Sequence, residues 1–151
     1  MHRLYENKDI VVFWNSEKCQ HAAECVKGSP KTFNPMQRPW IDMNQADNIE
    51  IWQAIDRCPS GALSCVYRHD VDVIFEEETS RSLALFDNRV IGECDYQKTE
   101  NGWNIYHTEV LPEFGGKCIA KRLVYKVLEA AERSGENVMA TCSYARKIAD
   151  V

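Results

Sequence analysis

The chain has 151 residues, is 44% hydrophobic and 27% charged, and carries a formal net charge of −5. These are values of a folded globular protein, and the length admits one medium domain or two small ones. The acidic balance excludes nucleic acid and an anionic membrane surface as partners. No apolar run approaches the roughly 20 residues of a spanning helix and no signal-peptide pattern opens the chain, so a cytoplasmic protein is expected.

In chain order, Ile10–Trp14 is apolar and β-rich and reads as a strand. The stretch from Asn15 to Gly28 is helix-compatible at its centre and ends at Gly28-Ser-Pro30. The segment Pro30–Pro39, with Phe33 and Trp40, reads as irregular but packed. Asp47 and Glu50 open a helix to Arg57 in the manner of a capping box, with Ile49, Trp52 and Ile55 on one face. Cys58-Pro-Ser-Gly61 ends that helix, and Ala62–Tyr67 reads as a strand.

Past residue 69 the texture changes to short strands: 71–75, 81–86, 89–96 and 104–110, with hairpin turns at Asp87-Asn88 and Asn101-Gly102. A Pro-started turn with paired glycines leads into a helix over about 117–133, with Ile119, Leu123, Val124, Val127 and Leu128 as its apolar face. A strand over 137–143 and a short final helix complete the chain. The expected architecture is α+β in two small domains, residues 1–69 and 70–151.

Seven cysteines stand at 19, 25, 58, 65, 94, 118 and 142. An odd count and uneven spacing in a reducing compartment speak against a disulfide framework. Cys19 and Cys25 are separated by five residues and Cys58 is followed by proline. The bacterial iron–sulfur run C-x2-C-x2-C with a later Cys-Pro becomes this spacing when its middle cysteine is removed. Each iron wants its own ligand, so the thiolates of Cys19, Cys25 and Cys58 suit a 3Fe–4S cluster. They also suit a 4Fe–4S cluster whose fourth iron takes His21 or an external ligand. Three inert core cysteines are the competing reading, and Cys65 is read as packing.

A strand that runs into a Gly-rich turn at a helix N-terminus is an anion-binding device, because the first helical N–H groups lack partners and the dipole favours negative charge. Lys117, Lys121 and Arg122 crowd the first turns of that helix, an unfavourable end for cations unless an anion binds nearby. A tight structural turn with a solvated helix face accounts for the same residues.

Each half of the chain carries a resemblance to a known family. Cys19-Gln-His-Ala-Ala-Glu-Cys25, Phe33-Asn-Pro35, Arg38-Pro-Trp-Ile-Asp42 and Cys58-Pro-Ser-Gly-Ala-Leu63 resemble the divergent mono-cluster iron–sulfur family over about residues 8–67, and more distantly the single-cluster ferredoxins that serve cytochromes P450. This implies a small ferredoxin-like domain, one-electron transfer or redox sensing, and a redox partner protein. His107-Thr-Glu-Val110, Pro112-Glu-Phe-Gly-Gly-Lys-Cys-Ile-Ala-Lys-Arg-Leu123 and Thr141-Cys-Ser-Tyr144 resemble the short GNAT-type N-acetyltransferases over about residues 70–150.

The second resemblance implies a mixed-sheet domain that transfers acetyl from acetyl-CoA to an amine, of unknown identity here. Val110, Phe114, Gly115, Gly116, Lys117, Cys118, Ile119 and Ala120 align with the acetyl-CoA loop. His107 is the expected base, with Glu109 as its substitute, and Cys142 or Tyr144 the expected acid or thiol at the thioester. The chain departs from those relatives at Gly115, where they carry Arg, and at Cys118, where they carry a second Gly.

Overall fold

A computed structural model describes residues 1–149. The chain folds as two compact units, one made of Met1 and Arg3–Arg68, the other of His2 and the chain from His69 onward.

In the first unit, β1 (His2–Glu6), β2 (Ile10–Asn15) and β3 (Leu63–Tyr67) form a sheet in that order, with β2 and β3 antiparallel and Val12 opposite Cys65. Between β2 and β3 lie two helices, α1 (Glu24–Gly28) and α2 (Asn48–Asp56). Asp47 caps α2, its carboxylate accepting the Glu50 N–H at 2.8 Å, which satisfies one of the orphan donors of the first turn. The face of α2 that enters the core is Ile51, Ala54 and Ile55. Of the expected face only Ile55 is buried; Ile49 is 68% exposed and Trp52 lies half-buried against Tyr67. Close approach to α1 explains the rotation. A Cβ on Gly28 would stand 2.8 Å from the Ala54 Cβ, so the small pair meets where a larger residue could not. Val12, Trp14, Phe33, Ile41, Met43 and Leu63 complete this core; of the Pro-rich segment only Thr32 and Phe33 are fully buried, while Pro30, Pro35, Met36, Arg38 and Pro39 are exposed.

The second unit is a five-stranded sheet in the order β4 (Asp72–Glu76), β5 (Arg81–Phe86), β6 (Arg89–Thr99), β7 (Gly102–Val110), β8 (Val138–Ala140). Neighbours are antiparallel except β7 and β8, which are parallel. The 15-residue helix α3 (Ile119–Arg133) supplies the crossover between them. Its buried Ile119, Leu123, Val124, Val127 and Leu128 are the apolar face expected from the sequence, and they pack on one side of the sheet, where Ser82 donates its hydroxyl hydrogen to the Leu123 carbonyl at 2.8 Å.

Strand β8 is shorter than the expected 137–143. Its pairing ends at Ile105–Ala140. The N–H groups of Thr141 and Cys142 then converge on the single Ile105 carbonyl, at 3.0 and 3.1 Å, and the chain turns into α4 (Ser143–Ala149). Beyond Ile105, β7 continues to Val110 with no β8 partner. The two parallel strands therefore part just past Ile105, two residues before His107.

Candidate functional sites

In the first unit, Cys19, Cys25 and Cys58 line one cavity of about 560 Å³, together with His21, Trp14 and Trp40. The loop between Cys19 and Cys25 reaches its shape through two non-glycine residues in the left-handed region, His21 (φ 56) and Ala23 (φ 60). Alternation of this kind turns successive backbone N–H groups inward, the concave arrangement found at phosphate and iron–sulfur sites. One of them, His21 N–H, donates to the Cys19 sulfur at 3.4 Å.

The sulfurs differ in acidity. Burial opposes ionisation of Cys58, yet the backbone around Leu63, Ser60 and Ala62 and the Ser60 hydroxyl outweigh it and hold this thiol below its ordinary value. The Ser60 oxygen lies 3.6 Å from the Cys58 sulfur. Cys25 is pushed up, first by burial and then by the nearby charges of Cys58 and Cys19, so all three thiols are within electrostatic reach of one another. Cys65 is pushed up to about 12 by burial and packs against the core.

The donor set fits a cluster: three thiols line one cavity beside a loop whose backbone alternates into the left-handed region, and each thiolate can hold a different iron. Hydrogen bonds to the sulfurs and a lowered Cys58 thiol both favour the deprotonated form that binds iron.

In the second unit, Pro112–Phe114 forms a short 3-10 turn after β7, and Phe114 packs on Phe86 at 5.2 Å. Gly116 takes φ +75 and Cys118, the N-cap of α3, takes φ 58 and ψ 23. The Cys118 side chain makes no capping hydrogen bond to α3 and no acidic residue stands in the first turn, and the residues leading into it, Gly115, Gly116 and Cys118, are exposed. Lys117 and Ala120 are half-buried beside them, as is Val110 at the end of β7. The side chain of Ile119 is core, leaving only its backbone for a ligand.

One expected cation is elsewhere. Arg122 is 1% exposed and donates to the Val71 carbonyl at 2.7 Å, so its charge is committed inside the fold; Lys121 lies over the Tyr125 ring.

The four expected catalytic residues fall on two faces of the sheet. Thr108 Oγ1 donates to the Cys94 sulfur at 3.5 Å and accepts from the Cys142 sulfur at 3.7 Å. Cys94 stands opposite Ser82 in the register, so this group is on the α3 side. Cys142 is not in β8 but just past it, at the start of α4. Tyr144, on α4, is pushed up first by burial and then by the charges of Cys118 and Cys142. Cys142, Tyr144 and the loop residue Cys118 therefore surround one place.

His107 and Glu109 alternate with Thr108 and point to the opposite face, where His107 Nε2 lies 3.3 Å from Glu109 Oε2 and both are exposed. Two residues that no motif singles out join them. Asp95 is directly opposite His107 in the β6–β7 register and Glu93 is opposite Glu109. Their sequence signal is two acids spaced two residues apart in β6, which is silent until the register is known.

Comparison with known proteins finds a family for each half of the chain. Residues 5–68 match the divergent 4Fe-4S mono-cluster family, and residues 82–150 match the GCN5-related N-acetyl-transferase family. YjdI of Escherichia coli strain K12 is 43% identical over 68 residues, covering 45% of this chain and 87% of YjdI. Among solved structures, the aminoglycoside acetyltransferase meta-AAC0020 from an uncultured soil metagenomic sample shares 18% identity at a TM-score of 0.38, over 46% of this chain and 53% of that one. Naa50 of Arabidopsis thaliana shares 23% at a TM-score of 0.35, over 48% and 54%. The chain thus spans about half the length of these acetyltransferase structures, and the likenesses are too partial to bear on substrate. The chain is thus similar to the divergent 4Fe-4S mono-cluster family over residues 5–68 and to the GCN5-related N-acetyl-transferase family over residues 82–150, each match spanning less than half of its length.

Proposed function

We propose that the protein is a cytoplasmic, iron–sulfur-containing N-acetyltransferase that moves acetyl from acetyl-CoA to an amine, with transfer modulated by the redox state of the cluster and a redox partner protein supplying or taking the electron. Residues 1–69 form the cluster domain and residues 70–151 the transferase domain. The observation that carries the transferase reading is the meeting of an uncapped α3 N-terminus with the place where β7 and β8 part, with Cys118, Cys142 and Tyr144 around it.

In this reading the backbone of residues 115–120 binds the pyrophosphate, aided by the α3 dipole, and Val110 and Phe114 flank the loop. The amine nitrogen attacks the thioester carbonyl carbon, the new C–N bond forms and the C–S bond breaks. His107 takes the proton the amine loses, with Glu109 beside it to stabilise the imidazolium. Tyr144, whose raised pKa keeps it protonated at neutral pH, or Cys142 delivers a proton to the departing thiolate.

Cys19, Cys25 and Cys58 would hold the cluster, as 3Fe–4S or as 4Fe–4S with His21 or an external group on the fourth iron. When bound, the group supplies one-electron redox chemistry. The chain's own part is to favour the thiolate of Cys58 and to wall the three cysteines with Trp14 and Trp40, whose rings are 4.9 Å apart.

Calorimetric titration of acetyl-CoA into the full chain tests the transferase reading: saturable heat that is lost when α3's first turn is made acidic by Lys121→Glu supports it. Absence of heat and of thermal shift at millimolar acetyl-CoA would instead favour a second reading, a non-catalytic electron-transfer or redox-sensing protein with a degenerate transferase domain. One observation favours that alternative, the left-handed Cys118 standing where the family has glycine.

A further inference from the structure

The carboxylates around His107 exceed what a proton acceptor needs. A ligand atom from each of Glu93, Asp95 and His107 lies within 4.8 Å of the other two. Asp95 is 5% exposed, and its Oδ1 is buried without a hydrogen-bond partner. Glu109 faces Glu93 directly across the strands, a like-charge pairing that destabilises a sheet unless a cation joins it.

The neighbouring cation does not complete the set. Arg81 Nε stands 3.2 Å from Asp95 Oδ1 and its NH1 3.5 Å from Glu93 Oε2, yet neither Arg81 Nε nor Asp95 Oδ1 achieves a hydrogen bond. One guanidinium against the three carboxylates of Glu93, Asp95 and Glu109 leaves a deficit of positive charge. Glu93 shows the strain: its pKa is raised, first by a hydrogen bond shared with Asp95, then by burial and by the Asp95 charge, with Arg81 and His107 pulling it back.

We propose that Glu93, Asp95 and His107 form a divalent-cation site on the face of the sheet away from α3; an ion bound there takes the one basic lone pair of the His107 imidazole, so the occupied site withholds this residue from the role of base in the proposed reaction. The ligand chemistry selects the ion. One imidazole with carboxylates and no thiolate suits a first-row ion of the Mn2+ class, whereas Mg2+ and Ca2+ take oxygen donors and softer ions take the cysteines of the first unit. The buried Asp95 is the fixed ligand, held by β6 between β5 and β7. Glu93 and His107 sit on the same strands at its side, and Arg81, 39% exposed on its side chain, is free to swing outward as the ion enters.

The test is Mn2+ titration of the full, cluster-loaded chain under anaerobic conditions, read by loss of the free-Mn2+ EPR signal; this readout needs no acetyl transfer. The proposal expects one saturable ion per chain, at least about tenfold weaker binding in both Asp95→Asn and His107→Ala, and unchanged binding in Glu113→Gln, an exposed acid paired with Arg89. Should Asp95→Asn fail to fold, exposed His107→Ala decides alone. Absence of saturable uptake at millimolar Mn2+, or uptake unchanged in His107→Ala, overturns the site.

Discussion

The Cys142 thiol donates to Thr108 Oγ1 across 3.7 Å on the α3 side of the sheet, while His107, the residue before Thr108, points to the other side and meets Glu109. A strand's alternation thus separates the thiol beside the thioester loop from the base expected to meet the amine. His107→Ala is expected to lower kcat by roughly 10²–10⁴-fold with the KM for acetyl-CoA nearly unchanged. Cys142→Ala is expected to act mainly on the KM for acetyl-CoA. Steady-state kinetics with both substrates varied checks this, and equal effects of both variants on both parameters would argue against the two-face arrangement.

Cys118 holds φ 58 as the N-cap of α3, a conformation costing a non-glycine residue about 1 kcal/mol. Cys118→Gly relieves that cost and clears the approach to the helix N-terminus. The expected results are a rise of a few degrees in the thermal midpoint of the second unit, about 4–8 °C per kcal/mol in a domain of this size, and tighter acetyl-CoA binding by calorimetry. A lower midpoint would show that the thiol makes a stabilising contact.

In the iron-free chain the cysteines should differ in reactivity. Cys58 is held below the ordinary thiol value by the surrounding N–H and hydroxyl groups despite its burial, whereas Cys25 is raised by burial and by Cys58 and Cys19. Cys65 and Cys94 are both pushed up to about 12, chiefly by burial. Iodoacetamide at pH 8 followed by peptide mass spectrometry should therefore label Cys58 before Cys25, with Cys65 and Cys94 last. The linkage signs are opposite. Depressed Cys58 stabilises the fold at pH above its unfolded value and loses that contribution as pH falls through its folded one. Raised Cys65 and Cys94 favour the fold below pH 9 and lose that contribution as pH rises from 9 toward 12.

Gly28→Ala would press a methyl group against Ala54, at 2.8 Å from its Cβ and 3.0 Å from its Cα. Part of that obstacle is backbone, so α1 must shift from α2, at a cost of about 1–3 kcal/mol. Since Cys25 lies on α1, iron retention should fall along with the thermal midpoint of the first unit. A double variant Gly28→Ala, Ala54→Gly should recover only part of both, because the Ala54 Cα remains 3.0 Å away and a glycine inside α2 costs about 1 kcal/mol.

How much of this is legible in the sequence depends on whether the signal is local. The Asp47 cap on α2, the Asp87-Asn88 turn with both φ positive and the five apolar residues of α3 are encoded within a turn or two of chain and appear in the structure, whereas the Glu50 half of the expected capping box does not, its carboxylate accepting from Ser29 instead. Cys19, Cys25 and Cys58, which the fold brings to one cavity, are picked out in the sequence by their spacing and by the proline after Cys58. Strand β1 escapes because His2–Glu6 mixes charged and apolar residues without alternation. The face of α2 is misjudged because size points to Ile49 and Trp52, while the packing partner, Gly28, selects small Ala54. The Glu93–Asp95–His107 group is illegible for a stronger reason. It depends on the β6–β7 register and the irregularity at Asp95–Tyr96, and register is a property of two strands together.

The central claim is that Cys19, Cys25 and Cys58 act together on one group. Iron and acid-labile sulfide determined on the anaerobically purified full chain, beside Cys58→Ser, address it directly. The expected result is about three to four irons with matching sulfide per wild-type chain and a large loss in Cys58→Ser at unchanged secondary structure. Wild-type protein that stays colourless and iron-free after anaerobic reconstitution, or a Cys58→Ser variant with its full complement of iron and sulfide, would contradict it.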